Sequence, residues 1–440
     1  MVSLLSYVVT YPMSSSVQQQ IKDNGVKYIR FQFTDIYGSL RGLEIPVARL
    51  ESFLADGLGI DGSSVGFMRA EGSDLRIMPD PTTFQALPWE PKIATITCDL
   101  TNEDGSPFDA DPRTILKKQL EKVEQKGWIP EVRPELEYYL VKEGKPAENT
   151  GYMMLPPFDR FSELRRQVVD YCIDVGMAVK YAHTEVGPGQ QEIELSFQDP
   201  LLSADHIVTM KQIVRWTAIN AGLEATFLPK PFAGEAGNGL HVHQRLLDKE
   251  GNSIFGNEKD FTDEGRHYVG GLLQHAPGAT VFYNPITNSY RRMVPGHEAP
   301  VYLSWGIGNR TALVRVPGLE KSIRVEFRSA DGAANIYLII ALQIAAGLDG
   351  IANKTEPPEP TSADVTTMSR EERLKRGIGQ LPDSLWTAME EVKKDKLVQE
   401  VVGQNLLNIF LTTKAAEWDY YITGPSSVTQ CEFNKFFDVA

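Results

Sequence analysis

The chain has 440 residues, 42% hydrophobic and 23% charged, which is ordinary globular composition with apolar material for more than one core. Its 44 basic and 58 acidic residues leave a formal charge of −14, which argues against a nucleic-acid or anionic-membrane surface, since both need clustered Lys and Arg. The three cysteines, Cys98, Cys172 and Cys431, are far apart and make no Cys-x-x-Cys pair, so a disulfide framework and a thiolate zinc site are set aside and a reducing, cytoplasmic setting is expected.

Met1 to Met13 is apolar with no basic residue ahead of it, and reads as an extension rather than a signal peptide. Ser14 to Asn24 is a polar helix stopped by Gly25. Lys27 to Thr34 alternates as a strand, and Asp35-Ile-Tyr-Gly38 turns it into a second, Leu40 to Ile45. Val47, Leu50, Phe53 and Leu54 then recur at helical spacing up to Gly57, a C-cap. Gly57-Leu-Gly59-Ile-Asp-Gly62 spells the dinucleotide fingerprint, but a helix precedes it and Ser-Ser-Val follows. Phosphate would meet no helix N-terminus there, and a Rossmann site is rejected.

Thr101 to Asp111, rich in Asn, Asp, Gly, Ser and Pro, is the linker candidate. A second domain begins with a helix from Pro112, striped by Leu116, Leu120 and Val123 and ended by Gly127. Strand-like and helix-like stretches alternate to Leu348. Ile336 to Leu348, interrupted by Gln343, is too short to span a bilayer and reads as a core helix. Thr355 to Ser369 is a surface loop, and Leu381 to Phe410 is mostly amphipathic helix.

Chemistry enters through period-two stretches. Arg133-Pro-Glu-Leu-Glu-Tyr-Tyr-Leu140 puts Glu135, Glu137 and Tyr139 on one strand face and Leu136, Tyr138 and Leu140 on the other. Glu192 and Glu194, His241 and His243, and Arg324, Glu326 and Arg328 repeat the arrangement. Strands of one sheet, packed through their apolar sides on helices, would form a concave wall of Glu, His and Arg, suited to hard divalent cations and phosphate oxygens. His183-Thr-Glu185 is joined to Glu192 through a Gly-Pro-Gly turn, which can fold both carboxylates onto one ion; the Pro-Cys-x-x-Cys a zinc deaminase needs is absent. Lys230 to His243 carries glycines that let backbone amides approach an anion. The arginines between Asn288 and Arg315 ask for phosphate or carboxylate ligands.

Taken in order, Phe33-Thr-Asp35, Asp61-Gly-Ser-Ser, Pro134-Glu-x-Glu137, His183-x-Glu185, the Lys-Pro and Gly-x-Gly-x-His stretch, Asn288-Ser-Tyr through Glu298, Asn309-Arg310 and Arg324-x-Glu326-x-Arg328 closely resemble glutamine synthetase of the bacterial and archaeal type I, non-adenylylated class. The resemblance runs from about Phe33 to the C-terminal helices. It implies an α+β fold: an N-terminal β-grasp domain over 14–104 and a larger glutamine synthetase/guanido kinase-like catalytic domain over 105–440 with a curved antiparallel sheet. It implies a homo-oligomer, a dodecamer with active sites between subunits. The activity implied is ligation of ammonium to L-glutamate, with ATP as substrate and two or more divalent cations, Mg²⁺ or Mn²⁺, per site.

By the same resemblance one cation sits on Glu137, Glu185 and Glu192, and a second, nearer ATP, on Glu135, His241 and Glu326. Arg292, Arg310 and Arg328 hold glutamate or the transferring phosphoryl group, with Gly237 near the amino-acid substrate. His243, Arg310, Arg315 and Arg324 face ATP. Asp35 from a neighbouring subunit, Tyr152, Glu185 and the flap residue Glu298 form the ammonium pocket, with Asp35 and Glu298 as proton acceptors. Arg69 matches an arginine tied to feedback inhibition. The chain departs from the family at Ala236 (usually Asn), Lys180 (usually Glu), Arg245 (usually Ser), Cys431 (commonly Trp), and Ala330, Gly332 and Ile336 (prolines). A related γ-glutamyl ligase using an organic amine is the close rival; Asp35, Tyr152 and Glu298 favour ammonia. A guanidino kinase and a non-catalytic relative fit the landmarks and intact metal positions less well.

Overall fold

The computed structural model describes residues 17–67, 73–296, 299–318 and 322–424. Met1 to Met13, Arg69, Glu298 and Cys431 lie outside the described residues.

The N-terminal part is a small mixed sheet with two helices, as the alternation predicts. Helix α1 (Val17–Asp23) leads into β1 (Tyr28–Thr34) and β2 (Leu40–Pro46), and α2 (Leu50–Asp56) into β3 (Leu58–Asp61), β4 (Asp74–Pro79), the short β5 (Gln85–Ala86) and β6 (Ile93–Thr101). The order is β2-β1-β6-β4-β3 with β5 on β6; β1 and β6 run parallel. Ile29, Phe31 and Phe33 enter the core, while Arg30 on the opposite face pairs with Glu44 and Glu90. Gly57 ends α2 with φ of 65° and leads into a strand, so the glycine-rich stretch has the opposite context to a dinucleotide site.

The larger, second part starts at α3 (Pro112–Gln125), capped by Asp111, whose carboxylate accepts from the amides of Arg113 and Thr114. There follow β7 (Ile129–Lys142), β8 (Lys145–Pro146), α4 (Ser162–Asp174), β9 (Val179–Thr184), β10 (Gln190–Leu195), α5 (Pro200–Asn220), β11 (Glu224–Thr226) and β12 (Leu240–Leu247). After the hairpin β13 (Gly256–Asn257) and β14 (Asp260–Phe261) come α6 (Asp263–Tyr283), the single turn α7 (Ser289–Arg292), β15 (Trp305–Ile307), β16 (Val314–Val316), β17 (Val325–Phe327) and α8 (Ile336–Asn353). Helices α9 (Arg370–Lys375), α10 (Leu385–Val392), α11 (Lys396–Val402) and α12 (Gln404–Thr423) close the described chain.

The nine-stranded sheet has the order β15-β16-β17-β12-β7-β10-β9, with β8 and β11 also on β7. All its pairs are antiparallel except β15 with β16. Strand β7 pairs with β12 along its first half and β10 along its second, so it carries the carboxylates to the centre. Its apolar residues Leu136, Tyr138 and Leu140 are fully buried on the helical side, where α5 packs. Helix α8 is long and apolar enough to cross a membrane, yet it is a core helix wedged between α3, α5 and α6. The polar interruption has a local reason: buried Gln343 accepts from Gln244 Nε2 of β12 at 2.8 Å, and Gln244 accepts from Tyr268 of α6.

The linker candidate is not a loose tether. Phe108 and Ala110 are core residues, and Phe108 N donates to Leu100 O at 2.9 Å. Beside it Arg113, its side chain 4% exposed, is shared by Asp80 just after β4, Asp99 of β6 and Asp205 of α5, at 2.7–3.0 Å. Tyr337 of α8 donates to the same Asp205 at 2.6 Å. One guanidinium thus clamps both layers, and removing it leaves three carboxylates facing each other in a confined space. Arg113→Met is expected to lower the urea unfolding midpoint, with a loss of about 3 kcal/mol from the strained carboxylates; an unchanged midpoint would remove the clamp from the account.

Candidate active site

Antiparallel register assembles the site. On β7 and β10, Glu137 lies opposite Glu192, and Glu135 opposite Glu194. Across β12, His241 faces Glu135; across β9, His183 faces Glu192. Glu326 of β17 lies opposite His243 on one side and Arg315 of β16 on the other. Because side chains alternate, one strand face of the sheet carries all of these groups.

Two sets of donor atoms each gather within 4.8 Å: Glu135, His241 and Glu326, and His183, Glu185 and Glu192. The first is the set expected from the sequence. The second contains Glu185 and Glu192 as expected, with His183 as an addition; His183 Nε2 is 3.2 Å from Glu192 Oε1. The expected third member, Glu137, sits beside the set and accepts from Gly239 N at 2.7 Å and Gln190 Nε2 at 3.3 Å. A further group, Glu135, Glu194 and His243, also lies within 4.8 Å, but Glu194 is held by Arg133 Nε at 2.5 Å and Lys180 at 3.3 Å. The alternation of β10 places Glu194 on the wall; that it is an arginine's partner was invisible until β7 and β10 were paired.

The two sets differ electrostatically. Burial would raise Glu135, but the His243 charge and hydrogen bonds from His241 and His243 hold it well below the usual range. Burial likewise opposes ionisation of Glu326, and the charges of Arg328 and His243 overcome it. Arg315 and Arg328 each donate to Glu326, at 2.8 and 2.7 Å. On the other side burial, then the charges of Glu137 and Glu192, push Glu185 up to about 8. Burial raises Glu192 to about 7 against the hydrogen bond from His183, with Glu135 and Glu137 adding to the rise. A divalent cation is the group this oxygen-rich, over-acidic set lacks, and the donor chemistry fits one. In the other set His243 Nε2 meets Glu135 at 2.6 Å, while its buried Nδ1 has no hydrogen-bond partner among the described residues.

Around this wall Tyr152, 50% exposed, stands edge-on to the His183 ring at 5.4 Å and feels the charges of Glu185 and Arg310. Arg310 itself is exposed. Arg292 donates through Nη1 to Ser329 O at 2.7 Å, and its stem runs over Gly237, where a Cβ would lie 2.7 Å from Arg292 Cγ. Only glycine admits that approach. Arg324 is close enough to Arg133 for the two charges to repel. Ala236 lacks the side-chain amide of an asparagine, yet Tyr139 OH donates to its backbone carbonyl at 2.8 Å and holds the loop in place. Lys180 lies over the Tyr181 ring, and Arg245 over Phe197 with Glu131 as its ion partner. Asp35 is not brought to the wall by contacts within one chain: its carboxylate accepts from Tyr37 N, Ser39 N and Arg41.

The raised carboxyls carry a pH consequence. A carboxyl whose folded pKa exceeds its unfolded value stabilises the fold below the unfolded pKa, and that stabilisation is lost as pH rises through the folded pKa. With divalent ions chelated, the melting temperature is therefore expected to fall from pH 6 to pH 8.5, through the window of Glu192 near 7 and Glu185 near 8. Added Mn²⁺ should restore more stability at the higher pH, because only ionised carboxylates bind it. Melting curves with and without Mn²⁺ at the two pH values check this; an ion-induced rise that is no larger at pH 8.5 contradicts it.

A family model described as the glutamine synthetase beta-Grasp domain matches residues 25–103, and one described as the glutamine synthetase catalytic domain matches residues 109–436. A glutamine synthetase of Thermotoga maritima is 40% identical over 436 residues, covering 96% of this chain and 98% of that protein. One of Methanosarcina mazei is 40% identical over 421 residues, 92% and 94% of the two chains. Among solved structures, GmaS in complex with ADP superposes with a TM-score of 0.88 at 29% identity, over 97% of this chain and all of the other; GmaS without ligand gives 0.86. With both halves matched in order and the wall of carboxylates in place, the chain belongs to the glutamine synthetase family.

Proposed function

We propose that the chain ligates ammonia to the side-chain carboxylate of L-glutamate at the expense of ATP, through a γ-glutamyl phosphate, giving glutamine, ADP and phosphate. The observation that carries the reading is the wall itself: two adjacent sets of metal-type donors, one anionic and paired with Arg315 and Arg328, the other over-acidic, on one sheet face. A carboxylate is a poor electrophile, so its oxygen must be phosphorylated before nitrogen can attack. Divalent cations, when bound, neutralise charge on the phosphoryl group in transfer. Glu135, His241 and Glu326 would hold one, and Glu137, Glu185 and Glu192, with His183 adjacent, another.

Arg292, Arg310 and Arg328 would orient glutamate and offset the phosphoryl charge, while His243, Arg315 and Arg324 serve the nucleotide. Tyr152 and Glu185 would form the ammonium pocket, completed by Glu298 and by Asp35 of a neighbouring subunit, which take the proton as ammonium becomes the nucleophile. A homo-oligomer, a dodecamer by family resemblance, suits an Asp35 that contacts within one chain do not bring to the wall and an apolar loop beside Tyr152, where Leu155 and Phe158 are 73% and 68% exposed. The rival is a related γ-glutamyl ligase with an organic amine as nucleophile. Glutamine synthetases at 40% identity outweigh it.

Steady-state rates with saturating ATP and glutamate, across ammonium, methylamine and larger amines, test the nucleophile. Wild type is expected to prefer ammonium. Asp35→Ala should lower that rate by about 100-fold with ATP binding little changed, a loss of roughly 2.7 kcal/mol in transition-state terms. A wild-type preference for any organic amine above about tenfold, roughly 1.4 kcal/mol, overturns the reading. The metal assignment is tested separately: Glu326→Ala should abolish turnover with Mg²⁺, since it removes an oxygen from a three-residue donor set.

A further inference from the structure

Behind the turn that carries Asp35 lies a second cavity, of about 340 Å³, between that turn, α5 and the start of α8. Its charge is opposite to that of the chain as a whole. Lys211 and Arg215, one helical turn apart on α5, line it, and no Asp or Glu does. Among the described residues neither cation has a carboxylate within ion-pair distance. Lys211 Nζ donates to Gly332 O at 2.8 Å, a neutral partner, and both cations sit over the Phe227 ring, at 5.6 and 5.0 Å. Two like charges beside one ring repel each other; burial and Arg215 push Lys211 down to about 8, partly offset by Asp331.

The neutral lining is also poised for an acceptor-rich guest. Thr34, Ser39 and Gln212 line the cavity, and their side chains make no hydrogen bond to another described residue. Asn335 caps α8, an 18-residue helix, with its side chain on Tyr337 N, so the positive end of the helix faces the same space. Phosphate-type oxygens match each of these donors, and two negative charges would match the two cations. We infer that this cavity binds a small oxyanion carrying two negative charges, held by Lys211 and Arg215 and by the hydroxyls of Thr34 and Ser39. The site is separate from the carboxylate wall, which offers oxygens to cations, and the binding does not depend on which amine the enzyme uses.

Lysine labelling reads the site locally. The full-length protein, with divalent ions chelated, is treated at pH 8 with an amine-reactive ester in an amine-free buffer, and the Lys211 peptide is quantified by mass spectrometry. Phosphate or succinate on the order of 10 mM is expected to slow Lys211 labelling by about fivefold, as occupancy of a weak site requires. Protection by phosphate alone or by succinate alone would identify the oxyanion class. Chloride at matched ionic strength should not protect, exposed Lys249 should react equally throughout, and Arg215→Gln should abolish the protection while leaving the fold intact. A Lys211 that resists labelling in buffer, that labels equally with and without the dianions, or that stays protected in Arg215→Gln overturns the site. Calorimetric titration with phosphate gives a second reading: heat that is undiminished in both Arg215→Gln and Lys211→Met refutes it equally.

Discussion

Four carboxylates face one another across two antiparallel strands. Glu137 opposite Glu192 and Glu135 opposite Glu194 are like-charged pairs, an arrangement that destabilises a sheet unless something else binds the charges. The protein supplies part of what is needed. Glu194 has Arg133 and Lys180, Glu135 has two histidines, and Glu326 has Arg315 and Arg328. Glu137 has neutral donors at hydrogen-bond distance and His241 Nε2 at 3.9 Å, and Glu185 and Glu192 share one histidine. The deficit is localised, and it is where a hard cation belongs. A sheet that carries this much repulsion must be held by its other face, which explains why Leu136, Tyr138, Leu140 and Ile193 are fully buried against helices.

The wall is therefore polarised across the sheet, from β17 to β9. At the Glu326 end, arginines and histidines keep the carboxylates ionised and present a mixed surface for anionic phosphate oxygens. At the Glu185 end, carboxylates outnumber bases and the surface favours cations, ammonium among them, with Tyr152 at its rim. A reaction that moves a phosphoryl group to a carboxylate and then brings in an amine needs both surfaces within one cleft.

Arg113 and Asn335 couple this cleft to the first sheet. Arg113 ties Asp80 and Asp99 to Asp205, and Asn335 donates to Asp35 O at 3.0 Å, so the Asp35 turn rests on the start of α8. Tyr37 of the same turn packs on Phe410 of α12 and donates to Thr413. The turn is a wedge between the two halves of the chain, with the cationic cavity of Lys211 and Arg215 behind it.

The period-two stretches determined, without any coordinates, that Glu135 and Glu137, Glu192 and Glu194, and His241 and His243 would share faces, because alternation in a strand is a local property of the backbone. Helix limits such as Pro112 and Gly57, and the burial of Ile336 to Leu348, were legible for the same reason: caps and composition act within a few residues. The order and register that join β7 to β10 and β12 were not, since those partners lie more than 50 residues away along the chain. Only pairing β7 with β10 made Glu194 a partner of Arg133 and set Glu137 beside Glu192. The addition of His183 to the Glu185 set, the turning of Glu137 toward Gly239 N, and the lack, among the described residues, of a carboxylate within ion-pair distance of Lys211 likewise belong to the tertiary structure. A sequence states which charges a chain has, but their neutralisation depends on which atoms lie within a few ångströms, and folding alone decides that.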